Sequence, residues 1–371
     1  VQLRYVFRLY PTAVQCQALA RAFGCARVVY NDALRARQIA HEAGLSFPKA
    51  AELSAALTEA KKTPARAWLG EVSAVVLQQS LRDLESAYRN FFDGLAGKRP
   101  RMGAPRFKSR KDKRQSVRFT SNARWSITGG GKLALPKIGQ VKVKWSRRLP
   151  SIPSTVTVIQ DAAGRYFCSF VVEVADVPDP PATTADVGVD LGLGCFAVTS
   201  DGRKIASPRF LRRAEKRLRR TQQALSRKQK GSANRDKARV KVARAYAEVA
   251  DARREFHHRL STMLVRENQA VYVETLNVKG LARTRLAKSV HDAGWSNFTG
   301  MLEYKARRYG RTFARVDRAF PSSQICSACG RCDGPKPLHV RQWICGQCGT
   351  EHDRDVNAAR NILTEGRRIT T

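Results

Sequence analysis

Four cysteines late in the chain stand in two CxxC pairs, Cys326/Cys329 and Cys345/Cys348, with fifteen residues between them. Thiolates two residues apart can both reach one ion, and a ribbon of that length folds back to complete a tetrahedral four-cysteine zinc site. Gly330, Gly346 and Gly349 follow the knuckles closely and suit turns that bring backbone amides near sulfur. Disulfide pairing is the alternative; nothing in the chain suggests secretion, and cytosolic thiols stay reduced. Cys332 is an extra thiol, either a substitute ligand or a bystander. His339 and His352 rank behind the four cysteines as ligands.

A second set of residues is acidic. Asp190 in VGVDLG and Glu274 in VYVET interrupt apolar runs that read as buried strands. Desolvating a carboxylate costs several kcal/mol unless a cation or a partner offsets it, on the order of the penalties known for buried ions. Asp355 precedes a helix whose Ala358, Ala359, Ile362 and Leu363 would pack on a sheet. Three carboxylates from two strands and a helix start can converge on two divalent ions about 3.5–4 Å apart, the arrangement that supports phosphodiester hydrolysis. Mg²⁺ suits such all-oxygen ligands. Each acid also has a structural reading: Asp190 as a strand-end cap for Gly192, Glu274 as a partner for a nearby Lys or Arg, Asp355 as a helix N-cap. Asp353, Asp186 and Asp201 are read as structural or solvated groups. VGVDLG also resembles the first phosphate hairpin of actin-like and sugar-kinase ATPases, but no second Asp-x-Gly hairpin or adenosine loop follows.

The positioning elements follow from the pattern. VQLRYVFRLY alternates as a strand, and Pro11-Thr12 opens a helix with Leu19, Phe23, Ala26, Val29 and Tyr30 on one face. A second helix is expected over Val72–Leu95, with Val72, Val76, Leu84, Tyr88, Phe91 and Leu95 as its core stripe and Gln78, Gln79, Arg82 and Arg89 on the other face. GKRPRMGAPRFKSRKDKRQ reads as a basic loop for phosphates. SVRFT, RWSIT, KLALP, QVKVKW, STVTVIQ and RYFCSFVVEV then alternate as an antiparallel sheet or small barrel that takes in the N-terminal strand, with residues 11–96 as a helical insertion. VPDPPATT, residues 177–184, is a stiff linker. Beyond it come a hairpin carrying Asp190, a basic helical hairpin over 211–266 broken near Gly231, a strand ending at Glu274, a helix over 296–309 and the strand RTFARVD.

The 371-residue chain carries 68 Lys and Arg against 31 Asp and Glu, a formal charge of +37. That balance calls for a strongly negative partner, and nucleic acid is the default. There is no apolar run of transmembrane length, so a membrane partner is not expected. The opening residues lack the apolar core of a secretory leader, which points to the cytoplasm. Cys16, Cys25, Cys168 and Cys195 read as buried free thiols.

FPSSQICSACG, VRQWICGQCGTEHDRDVNAARNI, VGVDLGLG, VYVETLNVKGL and DAGWSNFTGMLEYKARRYG together resemble the TnpB proteins of insertion sequences, compact relatives of type V CRISPR effectors. RLYPT, FGCARVVYN, WLGEV, LQQSLRDLESAYRNFF and GAPRFKSR extend the resemblance across nearly the whole chain. It implies a multidomain α/β protein: a wedge-like β-barrel (1–10 and 97–180) interrupted by a helical recognition domain (11–96), then an RNase H-like RuvC nuclease (184–320 and 349–371) with an inserted zinc ribbon (321–348). The implied activity is Mg²⁺-dependent, RNA-guided DNA cleavage beside a short adjacent motif, with Asp190, Glu274 and Asp355 as catalytic magnesium ligands. Cys326, Cys329, Cys345 and Cys348 would hold structural zinc. Phe47, Gln78, Thr120 and Asn122 become candidate readers of the adjacent motif. The implied partners are a transposon-end guide RNA and double-stranded target DNA, around a monomeric protein associated with a prokaryotic nucleoid. Two rival readings are an RNA-guided DNA-binding regulator without cleavage and an unguided zinc-ribbon nucleic-acid binder.

Overall fold

A computed structural model describes residues 2–174, 181, 183–337 and 339–371, and divides the chain into two compact units, residues 1–176 and 177–371. Most of the segment read as a linker lies outside the described residues.

In the first unit β1 (Gln2–Tyr10) leads into α1 (Ala13–Glu42). The expected helix start is a capping box: the Thr12 hydroxyl accepts from the Gln15 amide at 3.3 Å, and the Gln15 side chain accepts from the Thr12 amide at 3.0 Å. A helix the sequence did not signal, α2 (Ala50–Ala60), precedes α3 (Ala74–Leu95). On α3 the expected stripe buries Val76 and Leu84, but Leu95 is 55% exposed. Gln79, expected on the polar face, is buried, because α3 is covered on more than one side. The strands β2 (Arg114–Thr120), β3 (Ser126–Ile127), β4 (Lys132–Leu135), β5 (Gly139–Lys144), β6 (Thr155–Asp161) and β7 (Tyr166–Glu173) join β1 in an antiparallel seven-stranded sheet of order β2-β6-β7-β1-β5-β4-β3. β1 joins this sheet as anticipated, lying between β7 and β5, and among the described residues the sheet's end strands β2 and β3 do not pair with each other. One core, with Phe7, Leu34, Leu84, Phe119 and Phe170, joins this sheet to the helices. The basic loop before β2 is pinned rather than free: both groups of the Asn31 amide bracket Lys108, whose ammonium lies 3.9 Å from the Tyr30 ring centre.

The second unit is built on β8 (Asp186–Leu191), β9 (Cys195–Thr199) and β10 (Lys204–Ala206), an antiparallel meander. A basic helical hairpin follows, α4 (Phe210–Ser226) and α5 (Ala233–Glu267), turning at Gly231 with φ +86°. β11 (Ala270–Glu274) then lies parallel to β8. α6 (Val278–Leu281), α7 (Ala287–Ala293) and α8 (Trp295–Arg308) lead to β12 (Thr312–Val316), parallel to β11. The resulting five-stranded order is β10-β9-β8-β11-β12. β13 (Gln342–Ile344) and β14 (Glu351–Asp353) form a separate two-stranded ribbon, and α9 (Arg354–Thr370) follows it directly.

Alternation along β8 sorts its side chains by face. Val187, Val189 and Leu191 join Leu260 and Leu264 of α5 and Phe298 and Leu302 of α8 in one core. The opposite face receives α9, whose Ile362 packs with Tyr272 and Val316. Lys305 ties α8 to α5 from inside, its ammonium donating to the His258 carbonyl and to the Ser261 and Thr262 hydroxyls at 2.7–2.8 Å.

Candidate active site and metal centre

The close approach of α9 to the sheet depends on two glycines. A Cβ on Gly188 would lie 2.1 Å from the Ala359 carbonyl oxygen and 2.6 Å from the Leu363 nitrogen, and one on Gly366 would lie 2.2 Å from the Tyr272 ring. Asp190 is two residues beyond Gly188 and so shares the face under α9; Glu274 has the same relation to Tyr272. Along the strand two residues cover about 6.6 Å, and along the helix the four residues back from Ala359 to Asp355 cover about 6 Å. The contact at Gly188 therefore sets the first turn of α9 beside Asp190.

The parallel register pairs Val273 with Val189, which puts Glu274 beside Asp190 on the neighbouring strand. The Leu191 amide donates to Glu274 Oε1 at 3.0 Å and fixes that carboxyl. Burial, then the neighbouring Glu274 and Asp355 charges, hold the Asp190 carboxyl well above the usual carboxylate range. Burial also raises Glu274, against the Leu191 amide and the Asp190 hydrogen bond, which lower it. These two acids are mutually close and short of positive charge. Asp355 lies at their edge, paired with Arg341 Nη1 at 3.2 Å, and the three carboxylates are not drawn into a cluster as tight as the thiols described below.

Sequence reasoning missed the groups around the acids. Asp353, not Asp355, caps α9, accepting from the Asp355 and Val356 amides at 3.1 Å. Burial would push the Asp353 carboxyl up, but the Lys204 ammonium and those amides outweigh it. Lys204 stands in one row with Val198 and Asp190 across the antiparallel strands. Asp186 pairs with Arg367, and Asp201 closes a turn with Thr199 and Arg203, so these acids are structural, as read from the sequence.

The four cysteines do converge: Sγ atoms of Cys326 and Cys348 are 3.6 Å apart, those of Cys329 and Cys345 3.7 Å, and all four lie within 4.8 Å of one another. Disulfide sulfurs sit about 2.05 Å apart. A tetrahedron with Zn–S near 2.3 Å has edges of about 3.8 Å, so this donor set fits zinc. Cys332 is exposed and outside the set; its backbone instead bridges to Ile325. The Thr350 hydroxyl and amide hold the Cys348 thiol down to about 6. His352 is buried against Trp343 with Nε2 3.0 Å from Cys326 Sγ, a supporting contact the sequence did not reveal. Asn357 of α9 accepts from the Ser327 amide at 2.8 Å and donates to the Ile325 carbonyl at 2.7 Å, and Asn361 donates to Ile325 and Ser322 carbonyls. The cysteine module is thus fastened to the helix that carries Asp355. Of the other thiols, Cys25 and Cys168 are buried, Cys16 and Cys195 only partly.

The four candidate DNA readers fall into two pairs. Phe47 packs edge-on against Tyr88 at 4.9 Å, and Gln78 exchanges hydrogen bonds with Ser54. Thr120 ends β2 and bonds to the exposed Asn122 in the turn that follows. No hydrogen bond or ring contact joins the two pairs among the described residues. Among those residues, no helix is long and apolar enough to cross a membrane.

Residues 169–285 match the family model described as "Probable transposase" (OrfB of IS605), residues 295–362 one described as "Cas12f1-like, TNB domain", and residues 1–46 one described as "Helix-turn-helix domain". In this chain residues 2–42 form a strand and one long helix. A Streptomyces pristinaespiralis protein named "Putative RNA-guided DNA endonuclease" is 48% identical over 99% of this chain and 90% of its own length. InsQ of Escherichia coli K12, with the same description, is 31% identical over 98% of this chain and 92% of its own. The chain therefore belongs to the TnpB family of transposon-encoded proteins. A cryo-EM structure of a Cas12f1–sgRNA–target DNA complex contains a chain of similar fold, with TM-score 0.56 and 15% identity, over 93% of this chain and 82% of that one.

Proposed function

We propose that this chain is an RNA-guided DNA endonuclease, with Asp190, Glu274 and Asp355 as its magnesium ligands and the four cysteines as a structural zinc site. The observation that carries the reading is the pair of half-buried acids, Asp190 and Glu274, side by side on adjacent strands and raised in proton affinity, on the sheet face that α9 approaches closely at Gly188 and Gly366. Two adjacent carboxylates that burial holds above their usual range become jointly ionised when a cation sits between them. Magnesium held there would supply charge neutralisation and activation of water for phosphodiester hydrolysis.

The chain's own residues prepare that site. The Leu191 amide holds Glu274 in place, Asp353 with Lys204 fixes the first turn of α9, and the cysteine module anchors the same helix through Asn357 and Asn361. The order β10-β9-β8-β11-β12, with an antiparallel meander followed by two parallel strands, supports an RNase H-like assignment for residues 184–320 and 349–371. The seven-stranded sheet is assigned as the wedge-like domain (1–10, 97–180), residues 11–96 as the recognition domain and 321–348 as the zinc ribbon. A net charge of +37 suits a protein wrapped in guide RNA and target DNA. Phe47, Gln78, Thr120 and Asn122 remain proposed readers of the target-adjacent motif, and a single protein copy is proposed for each ribonucleoprotein.

The test is to express the protein with its flanking transposon sequence, sequence the RNA that co-purifies, and offer duplexes matched to its segments. Magnesium-dependent cutting of the matched duplex, and not of a mismatched one, is expected. Binding without cutting would favour the regulator reading, and absence of any specific RNA the unguided one.

A further inference from the structure

Beside Glu274 the second unit has an open cleft of about 120 Å³, lined by Leu191, Glu274, Thr275, Trp295, Thr299 and Arg315 among others. Trp295 is 3% exposed, yet its indole N–H is buried without an acceptor. A buried donor left unpaired costs about 1–3 kcal/mol, so such groups call for an explanation. Trp295 also opens α8, a helix of 14 residues whose N-cap is Gly294, a residue with no side chain to satisfy the first-turn amides. The amides of Trp295 and Ser296 therefore face outward from the positive end of the helix dipole. Ser296 adds a hydroxyl to the lining, and Arg315 brings a guanidinium, here paired with Glu303 at 2.9 Å.

Of the lining hydroxyls, Thr275 donates to the Val316 carbonyl and Thr299 to the Ser296 carbonyl; what remains beside the Glu274 carboxyl is the Ser296 hydroxyl, the Arg315 guanidinium, the first amides of α8 and the unpaired indole N–H. That chemistry recognises an anion, and helix N-termini with converging N–H groups hold phosphates well. Resting on the nuclease reading, we infer that this cleft seats a backbone phosphate of the cleaved strand, one neighbouring the phosphate that meets the carboxylates. Trp295 Nε1–H, the α8 amides, the Ser296 hydroxyl and the Arg315 guanidinium are its donors. They fix the strand's register, and so which phosphodiester reaches Asp190 and Glu274.

Trp295→Phe keeps the ring and removes only the unpaired donor. A structural role would make this variant less stable; the inference expects unchanged or higher thermal stability, unchanged guide-RNA loading, and a kcat about tenfold lower, the loss of one charge-assisted hydrogen bond. A scan of single methylphosphonates along the cleaved strand locates the phosphate. One substitution near the cut should slow the wild-type protein about tenfold and leave Trp295→Phe no slower than it already is, since the same contact is lost either way. Identical rates and methylphosphonate profiles for the two proteins would overturn the inference. A second readout is the indole ¹⁵N–¹H resonance of Trp295 in the full chain, assigned by its absence in the variant. It should shift on addition of a single-stranded DNA oligonucleotide and stay put with its fully methylphosphonate analogue; a resonance unmoved by saturating DNA would equally overturn the inference. If the wild-type ribonucleoprotein cuts no matched target, the nuclease reading fails, and this second readout still decides the phosphate site.

Discussion

Gly188 of β8 and Ala359 of α9 touch so closely that a single methyl on the glycine would lie 2.1 Å from the alanine carbonyl oxygen. This contact fixes the distance between a strand that carries one acid and a helix that carries another. Backbone, not a flexible side chain, is what the added carbon would meet, so α9 has to move.

Gly188→Ala is accordingly expected to cost about 1–3 kcal/mol of stability by overpacking. Its effect on cleavage should be larger, about a hundredfold, because displacing a reacting group by about 1 Å carries that penalty. Thermal melts and single-turnover cleavage of a matched duplex check both. A variant as stable and as active as the parent would remove α9 docking from the account.

The cysteine module should reach the active site through Asn357. Its amide is the partner of both the Ser327 N–H and the Ile325 carbonyl; the carbonyl keeps Asn361 as a second donor, so Asn357→Ala leaves the half-buried Ser327 N–H unpaired at a cost of about 1 kcal/mol. Purified protein is expected to hold about one zinc per chain, and Cys345→Ser to lose it while Cys332→Ser does not. Elemental analysis measures the metal. Cleavage should fall with Cys345→Ser and Asn357→Ala, and survive in Cys332→Ser.

The raised proton affinity of Asp190 and Glu274 sets a pH dependence in the absence of divalent ions. A carboxyl whose affinity for protons is higher folded than unfolded contributes stability that is full below the unfolded pKa and is lost as pH rises through the folded one. Metal-free protein should therefore lose stability as pH climbs above the ordinary carboxylate range. Asp190→Asn, which cannot ionise, should flatten that loss and melt higher than the parent at neutral pH. Differences in melting temperature between the two proteins across pH, taken in chelator, provide the check; parallel curves would contradict the burial argument.

Much of this site was legible in the sequence because chemistry violates pattern. Asp190 and Glu274 stand out in apolar strands, and Cys326, Cys329, Cys345 and Cys348 announce themselves by spacing. The β8–β9 hairpin, the basic helical hairpin and the pairing of β1 within the later sheet also followed from periodicity and turn residues, whereas β10 did not. What stayed hidden depends on contacts between distant segments. Gly188 and Gly366 read as ordinary strand and helix glycines until α9 is laid across the sheet. Asn357 and Asn361 read as polar helix positions, although both are buried against the cysteine module. From the sequence Asp355 is the candidate N-cap and Asp353 a structural or solvated acid; only the amide geometry assigns the cap to Asp353. Leu95 was misplaced in the core because a helical stripe cannot tell where the packing partner stops.

The central claim is that Asp190 acts in cutting and not in assembly. The direct measurement compares wild-type and Asp190→Ala ribonucleoproteins, each loaded with the same guide RNA, for binding and cleavage of one matched duplex in magnesium. Guide-RNA binding and target binding should match the wild type, while cleavage falls below detection. Undiminished cleavage by Asp190→Ala would contradict the account.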